Sequence, residues 1–135
     1  DVFHIYYLQG KNLHIFGVPE FGDLEAKSSL SLSGTPVAMM LDGDRLVVIS
    51  NVNPWSISRS HPVVDAMGWD ETYGNWRTNS LTKFTVLDIT NRSQPEVDRE
   101  FYIEGQYITA REVSGTVRTV THAWMNVEGL QSWLT

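Results

Sequence analysis

The sequence predicts an all-β fold assembled from repeated antiparallel units, and two observations carry that prediction. Short β-branched and aromatic segments alternate with Gly, Asp, Asn and Pro turns along most of the chain. The apolar pattern of residues 13–18 and 30–37 recurs 71 residues later, in 84–89 and 101–108. At the same offset Gly34 aligns with Gly105. Because repeated supersecondary units build solenoids, propellers or arrays, this repeat indicates the fold class before any motif is considered.

Residues 1–50 predict five short strands. The clearest signal is Asp42-Gly43-Asp44, because Asp-Gly readily takes the positive φ angles of a tight hairpin turn. Leu30 and Leu32 alternate with serines, which indicates one buried and one solvated face. The predicted strands are 2–8, 13–18, 27–33, 36–41 and 45–50.

Strand patterns resume after residue 80. Ser114-Gly115 predicts the last hairpin turn, and the tail at 127–134 predicts a short helix. The predicted strands are 82–89, 97–104, 107–113 and 116–122.

Residues 51–80 differ from the rest, with three of the five Trp and no sustained period, which predicts a long irregular insertion. If the insertion, about 25 to 30 residues, is subtracted from the offset of the repeat, a unit of about 40 to 45 residues is left. This is the length of one four-stranded propeller blade. The whole chain, 1–135, is then a single segment of about two β-propeller-type blades in 1–50 and 81–122, with a tail at 123–135. This amounts to an incomplete ring or a fragment.

The stretch LTKFTVLDITNRSQPEV at 81–97, followed by REFYIEG at 99–105, resembles a known blade motif. PVAMMLDGDRLVVIS at 36–50 matches another segment of the same family: bacterial and archaeal secreted proteins with a C-terminal β-propeller distantly related to WD40 repeats. The similarity covers most of 24–50 and 81–122 and weakens at 116–120. The resemblance implies an extracytoplasmic propeller and no particular reaction.

Composition excludes several classes of function. The chain has no Cys, which excludes thiolate metal sites and cysteine nucleophiles. Its net charge is -6 without a basic run, so no nucleic-acid partner is expected. No apolar run is long enough to span a bilayer, and no cofactor fingerprint is present.

Residues that could carry chemistry are few. The four His, at 4, 14, 61 and 122, lack metal-ligand spacing, and Asp42-Gly43-Asp44 lacks the further ligands of a calcium loop, so no metal site is expected. Asp65, Asp70 and Glu71 in the insertion are solvated loop acids or, alternatively, part of a cation or sugar site.

The insertion is the strongest candidate for function, because aromatic side chains among a few polar groups are typical of binding faces. Its strand count places it between the second and third strands of a blade, at the same end as Gly34 and Gly105. We expect a non-catalytic module that binds a protein or carbohydrate. The alternative for the Trp side chains is that they cover the flank of their own blade. The candidate binding residues are Trp55, His61, Trp69, Asp70, Tyr73, Trp76 and Arg77.

Two other functions stay open at this stage. One is a hydrolase or lyase with its active site at the channel mouth, using His61, Asp65, Asp70 or Glu71; the chain is more easily explained without an enzymatic activity. The other is a structural piece of a larger ring. The remaining blades would come from the same chain or from another, and the terminal strands are expected to complement each other.

Overall fold

The computed structural model describes residues 3–123 and is nearly all β. Helical structure within these residues is confined to the insertion, as a 3-10 turn at Pro54–Ser56 and a short helix α1 at Val63–Met67. The strands are β1 (His4–Gln9), β2 (Asn12–Gly17), β3 (Glu25–Ser31), β4 (Thr35–Asp42), β5 (Arg45–Val52), β6 (Trp69–Asp70), β7 (Asn75–Trp76), β8 (Leu81–Asp88), β9 (Glu96–Glu104), β10 (Gln106–Val113) and β11 (Thr116–His122).

The strands form consecutive antiparallel sheets of the blade type. The central sheet has the order β4-β5-β8-β9, which is a complete four-stranded meander. A three-stranded sheet β1-β2-β3 precedes it, and a two-stranded sheet β10-β11 follows it. The described sheets do not close into a ring. The predicted fold class, propeller-type blades in an incomplete ring, is therefore confirmed.

The sequence repeat is present strand by strand. β3 and β9 begin at residues 25 and 96, β4 and β10 at 35 and 106, and β5 and β11 at 45 and 116, all with the same offset. β1 and β5, at 4 and 45, begin much closer together. This shorter spacing corresponds to one blade of about 40 to 45 residues. The longer offset also contains the insertion between β5 and β8.

Turn chemistry sets the strand register. Asp42 pairs with Arg45, so the β4–β5 hairpin closes through Gly43 and Asp44, with Gly43 at φ 57°. At the β10–β11 turn both Ser114 and Gly115 have positive φ. Gly43 and Gly115 suit these turns because glycine lacks the Cβ that makes the left-handed region costly for other residues.

Two apolar clusters hold the fold together. The first fills the space between the three-stranded and four-stranded sheets. Its buried members are Leu13, Ile15, Leu32, Leu46, Val48, Leu87 and Ile89. The second lies under the insertion and contains Val52, Met67, Trp76 and Leu81.

The insertion that the sequence predicts as irregular carries short regular elements: the 3-10 turn, α1 and the two-residue strands of the β6-β7 hairpin. None is long enough to produce a readable hydrophobic period, which requires about 11 residues or more. The helix predicted at 127–134 lies outside the described residues.

Candidate functional site

The insertion lies at the end of the blades where consecutive sheets connect. The backbone N–H of Tyr107 donates to Asn51 Oδ1 over 3.2 Å, and Gly105 N–H donates to the Ser80 carbonyl over 2.9 Å. On the other side, a Cβ added at Gly34 would lie 2.9 Å from the Asn51 carbonyl oxygen. The ends of the insertion and both inter-sheet connections therefore share one face, as the strand count predicts.

Three tryptophans converge inside the insertion. Ring centroids of Trp69 and Trp76 are 5.0 Å apart, and those of Trp55 and Trp69 are 5.9 Å apart, both in edge-to-face geometry. Trp55 and Trp76 are 6.3 Å apart. Edge-to-face pairing is favourable because the positive ring edge meets the negative ring face.

The three rings differ in exposure, and the difference shows which of them pack into the fold and which one is open to a ligand. Trp76 is only 8% exposed and packs in the cluster with Val52, Met67 and Leu81. Trp69 is half-buried against the same cluster. Trp55 is 60% exposed. Trp76 and Trp69 thus cover the flank of their own blade, and Trp55 presents an open ring.

Arg59 joins this group, although the sequence gives no sign of it. Its guanidinium carbon lies 5.1 Å from the Trp69 centroid and 5.9 Å from the Trp76 centroid, a cation–π arrangement. A single Arg between two serines has no distinguishing pattern, so only the fold reveals the contact. An open depression of about 450 Å³ lies here, lined by Arg59, Val64, Asp65, Gly68, Trp69 and Trp76.

Asp70 holds the β6–β7 turn. Its Oδ1 accepts the backbone N–H groups of Thr72 over 2.9 Å and Tyr73 over 3.2 Å, and its carbonyl accepts Gly74 N–H over 2.8 Å. This turn leaves Tyr73 78% exposed at the tip of the hairpin.

His61 and Arg77 also contribute to the architecture of the insertion. His61 Nδ1 accepts the Val63 N–H over 3.2 Å at the start of α1, and its ring meets Tyr102 edge-on at 5.4 Å. The Arg77 N–H donates to the Gly68 carbonyl over 2.9 Å, and its side chain runs close to the Gly68 Cα.

A buried ionic group lies between β8 and β9. Lys83, 3% exposed, pairs with Glu100 and contacts Ser33 Oγ. The same ammonium lies 5.9 Å from the Tyr102 ring. Burial, with a smaller contribution from Glu100, raises the pKa of the Tyr102 hydroxyl. Its carboxylate partner keeps the lysine charge compensated, so this group is a structural link.

Residues 3–123 contain no group of three or more His, Asp or Glu arranged to hold a metal ion. Within the same residues, no helix has both the length and the apolarity needed to cross a membrane.

Comparison with known proteins gives one result. The model of the family described as "Beta propeller domain" matches residues 1–132. No match was found among curated proteins or among solved structures. The family match covers nearly the whole chain and agrees with the observed blades. The chain therefore belongs to the beta propeller domain family.

Proposed function

We propose that this chain is a non-catalytic binding module whose ligand face is formed by the insertion. The observation that carries the proposal is the exposed ring of Trp55, fixed by edge-to-face contact with Trp69 beside the 450 Å³ depression. Trp, Tyr and Arg are the residue types that carry most binding energy at interfaces. Trp55, Arg59 and Tyr73 all lie exposed in this one insertion.

Two observations favour binding over catalysis. The Asp70 carboxylate already accepts two backbone N–H groups, and the His61 ring nitrogen Nδ1 accepts another. A nucleophile or general base needs such atoms facing a substrate. Asp65 and Glu71 are exposed side chains in loop or short helical segments of the insertion.

The proposal includes an extracytoplasmic location and a distant relation to WD40 repeats. Both are supported by the resemblance at 24–50 and 81–122. The ligand is a protein or a carbohydrate.

Replacing Trp55 with Ser tests the proposal. Trp69 and Trp76 are unsuitable for this purpose because they pack in the cluster beneath the insertion and their loss would disturb the fold. We expect the wild-type chain to bind a subset of immobilised peptides or glycans and Trp55→Ser to lose that binding. Far-UV circular dichroism should be unchanged, because the Trp55 ring is mostly exposed.

Phe21→Ser is the matched control, because Phe21 is a fully exposed aromatic outside the insertion, between β2 and β3. It should leave binding unchanged. Equal binding by wild type and Trp55→Ser, or no binding by either, would favour the purely structural alternative.

A further inference from the structure

The polar and apolar groups of the insertion define a ligand more narrowly than its aromatic content does. We propose that this face binds an extended peptide that carries a carboxylate side chain next to an apolar one. Arg59 receives the carboxylate, and the open ring of Trp55 receives the apolar side chain. This inference rests on the proposed function and adds the chemistry of the ligand.

The first argument concerns the contacts of the Arg59 guanidinium. Among the described residues no carboxylate lies within ion-pair distance of its guanidinium. The indole faces of Trp69 and Trp76 hold the group in place at 5.1 and 5.9 Å. A guanidinium held by stacking keeps its N–H donors at the rim, where they suit bidentate recognition of a carboxylate.

The second argument is spacing. The Trp55 ring centroid and Arg59 Cζ lie 5.9 Å and 5.1 Å from the Trp69 centroid, so these two groups are at most about 11 Å apart. In an extended peptide, residues i and i+2 point to the same side about 7 Å apart. Alternate side chains of one strand can therefore reach both groups.

The third argument is Asp65, which lines the same depression and also has no ion-pair partner among the described residues. The Asp65 carboxylate puts a negative charge in the depression that Arg59 also lines, which disfavours a densely anionic ligand. A peptide suits this arrangement, because it can offer one carboxylate to Arg59 and backbone N–H groups to Asp65.

A saccharide fits the arrangement less well. Sugar rings stack on flat, exposed aromatic faces, and here the rings stand edge-to-face, with interplanar angles of 82° and 79°. Arg59 already lies over the Trp69 and Trp76 rings. Trp55 is thus the one largely exposed indole among the three in the insertion.

The test is titration of the full chain with two blocked heptapeptides, Gly-Ser-Glu-Ser-Leu-Ser-Gly and its Gln counterpart. Binding is followed by the NMR signals of the indole N–H groups. We expect the Glu peptide to bind about tenfold more tightly than the Gln peptide, since one charge-assisted pair is worth about that factor. The difference should shrink at high salt, because exposed charges are screened.

Arg59→Gln should abolish the preference for Glu over Gln, and Arg118→Gln is the matched control. Arg118 is an exposed arginine on β11, outside the insertion, so its loss changes the net charge equally. The control should retain the full preference. Equal binding of the two peptides by wild type, or an undiminished preference in Arg59→Gln, would overturn the inference.

A third probe separates this inference from the function on which it rests. A tetrasaccharide of alternating glucuronic acid and N-acetylglucosamine presents carboxylates without a peptide backbone. If it binds through Trp55 while the Glu peptide does not, the peptide inference is overturned and the binding module stands. If the Glu peptide binds equally to wild type and Trp55→Ser, both the inference and the proposed ligand face are wrong.

Discussion

Arg92 shows how much a single side chain links in this fold. Its guanidinium donates to the Tyr6 hydroxyl over 3.2 Å, to the Gly43 carbonyl over 3.4 Å and to the Asp44 carboxylate. Its own carbonyl accepts the Ser28 hydroxyl over 2.8 Å. One turn residue thus connects the four-stranded sheet to two strands of the preceding sheet. Hydrogen bonds to Asp44 and Tyr6 raise the pKa of Arg92, which stays charged.

We therefore expect Arg92→Met to lower the free energy of unfolding by about 1–3 kcal/mol, because it removes charge-assisted hydrogen bonds and keeps most of the apolar stem. The Asp44 contribution is at the low end, since that carboxylate is 59% exposed. Urea unfolding followed by circular dichroism measures the change. Arg99→Met is the control, because Arg99 is exposed and pairs with its neighbour Asp98. Equal stability of the two variants would contradict the linking role.

No pattern in the sequence singles out Arg92 or Arg59 as a contact residue. Both act through contacts with residues distant along the chain, and no local period encodes such contacts. His61 and Asp70 are the opposite case, because the sequence does single them out as candidate site residues. Their residue types suggest chemistry, whereas in the fold their side chains accept backbone N–H groups, His61 just before α1 and Asp70 in the β6–β7 turn.

At the scale of elements, the strands were predictable, with limits within about two residues, because alternation, Asp-Gly and Ser-Gly turns all act locally. The insertion was predictable only in position. Its helix and its two strands are very short, and they form because Met67 and Trp76 pack onto Val52 and Leu81. That packing also decides which tryptophans turn inward, so composition alone left the choice open.

The insertion should be removable without loss of the blade. β5 and β8 pair along their whole length, from Arg45 with Asp88 to Val52 with Leu81, independently of the insertion. The equivalent strands β1 and β2 connect directly through Gly10 and Lys11. We expect a chain with 53–80 replaced by Gly-Lys to keep its β-sheet circular dichroism signal and lose binding of the Glu peptide.

Stability should fall by about 1–4 kcal/mol in that chain, because the apolar burial that is lost exceeds the loop-closure free energy that is regained. Uncovering Val52 and Leu81 costs about 1.5–3 kcal/mol for each side chain that becomes fully exposed. Shortening the connection returns about 2 kcal/mol of loop-closure free energy. Thermal unfolding measures the net change, and loss of a cooperative transition would show that the insertion is required for folding.

At the scale of the molecule, the repeat identifies the position within a blade of every strand outside the insertion. β1-β2-β3 correspond to the second, third and fourth strands, because β2 and β3 align with β8 and β9 at the offset of the repeat. β10-β11 correspond to the first and second. Joining the last sheet of one copy to the first sheet of another would therefore place two second strands in one blade. The expected complementation of the terminal strands between copies would therefore have to accommodate one surplus second strand.

The described sheets nevertheless expose apolar faces that internal copies of the repeat bury. Ile5 and Tyr7 are 46% and 52% exposed, whereas the equivalent Leu46 and Val48 are fully buried. We expect the isolated chain to associate weakly and without closure, so that its mass in light scattering rises continuously with concentration. Ile5→Thr with Tyr7→Thr should reduce the association, because exposed apolar area drives it. Phe21→Ser, which removes an exposed aromatic from a loop, should not. A concentration-independent trimer or tetramer that keeps all strands would mean that the duplicate second strand is accommodated, and the ring would then be assembled from copies.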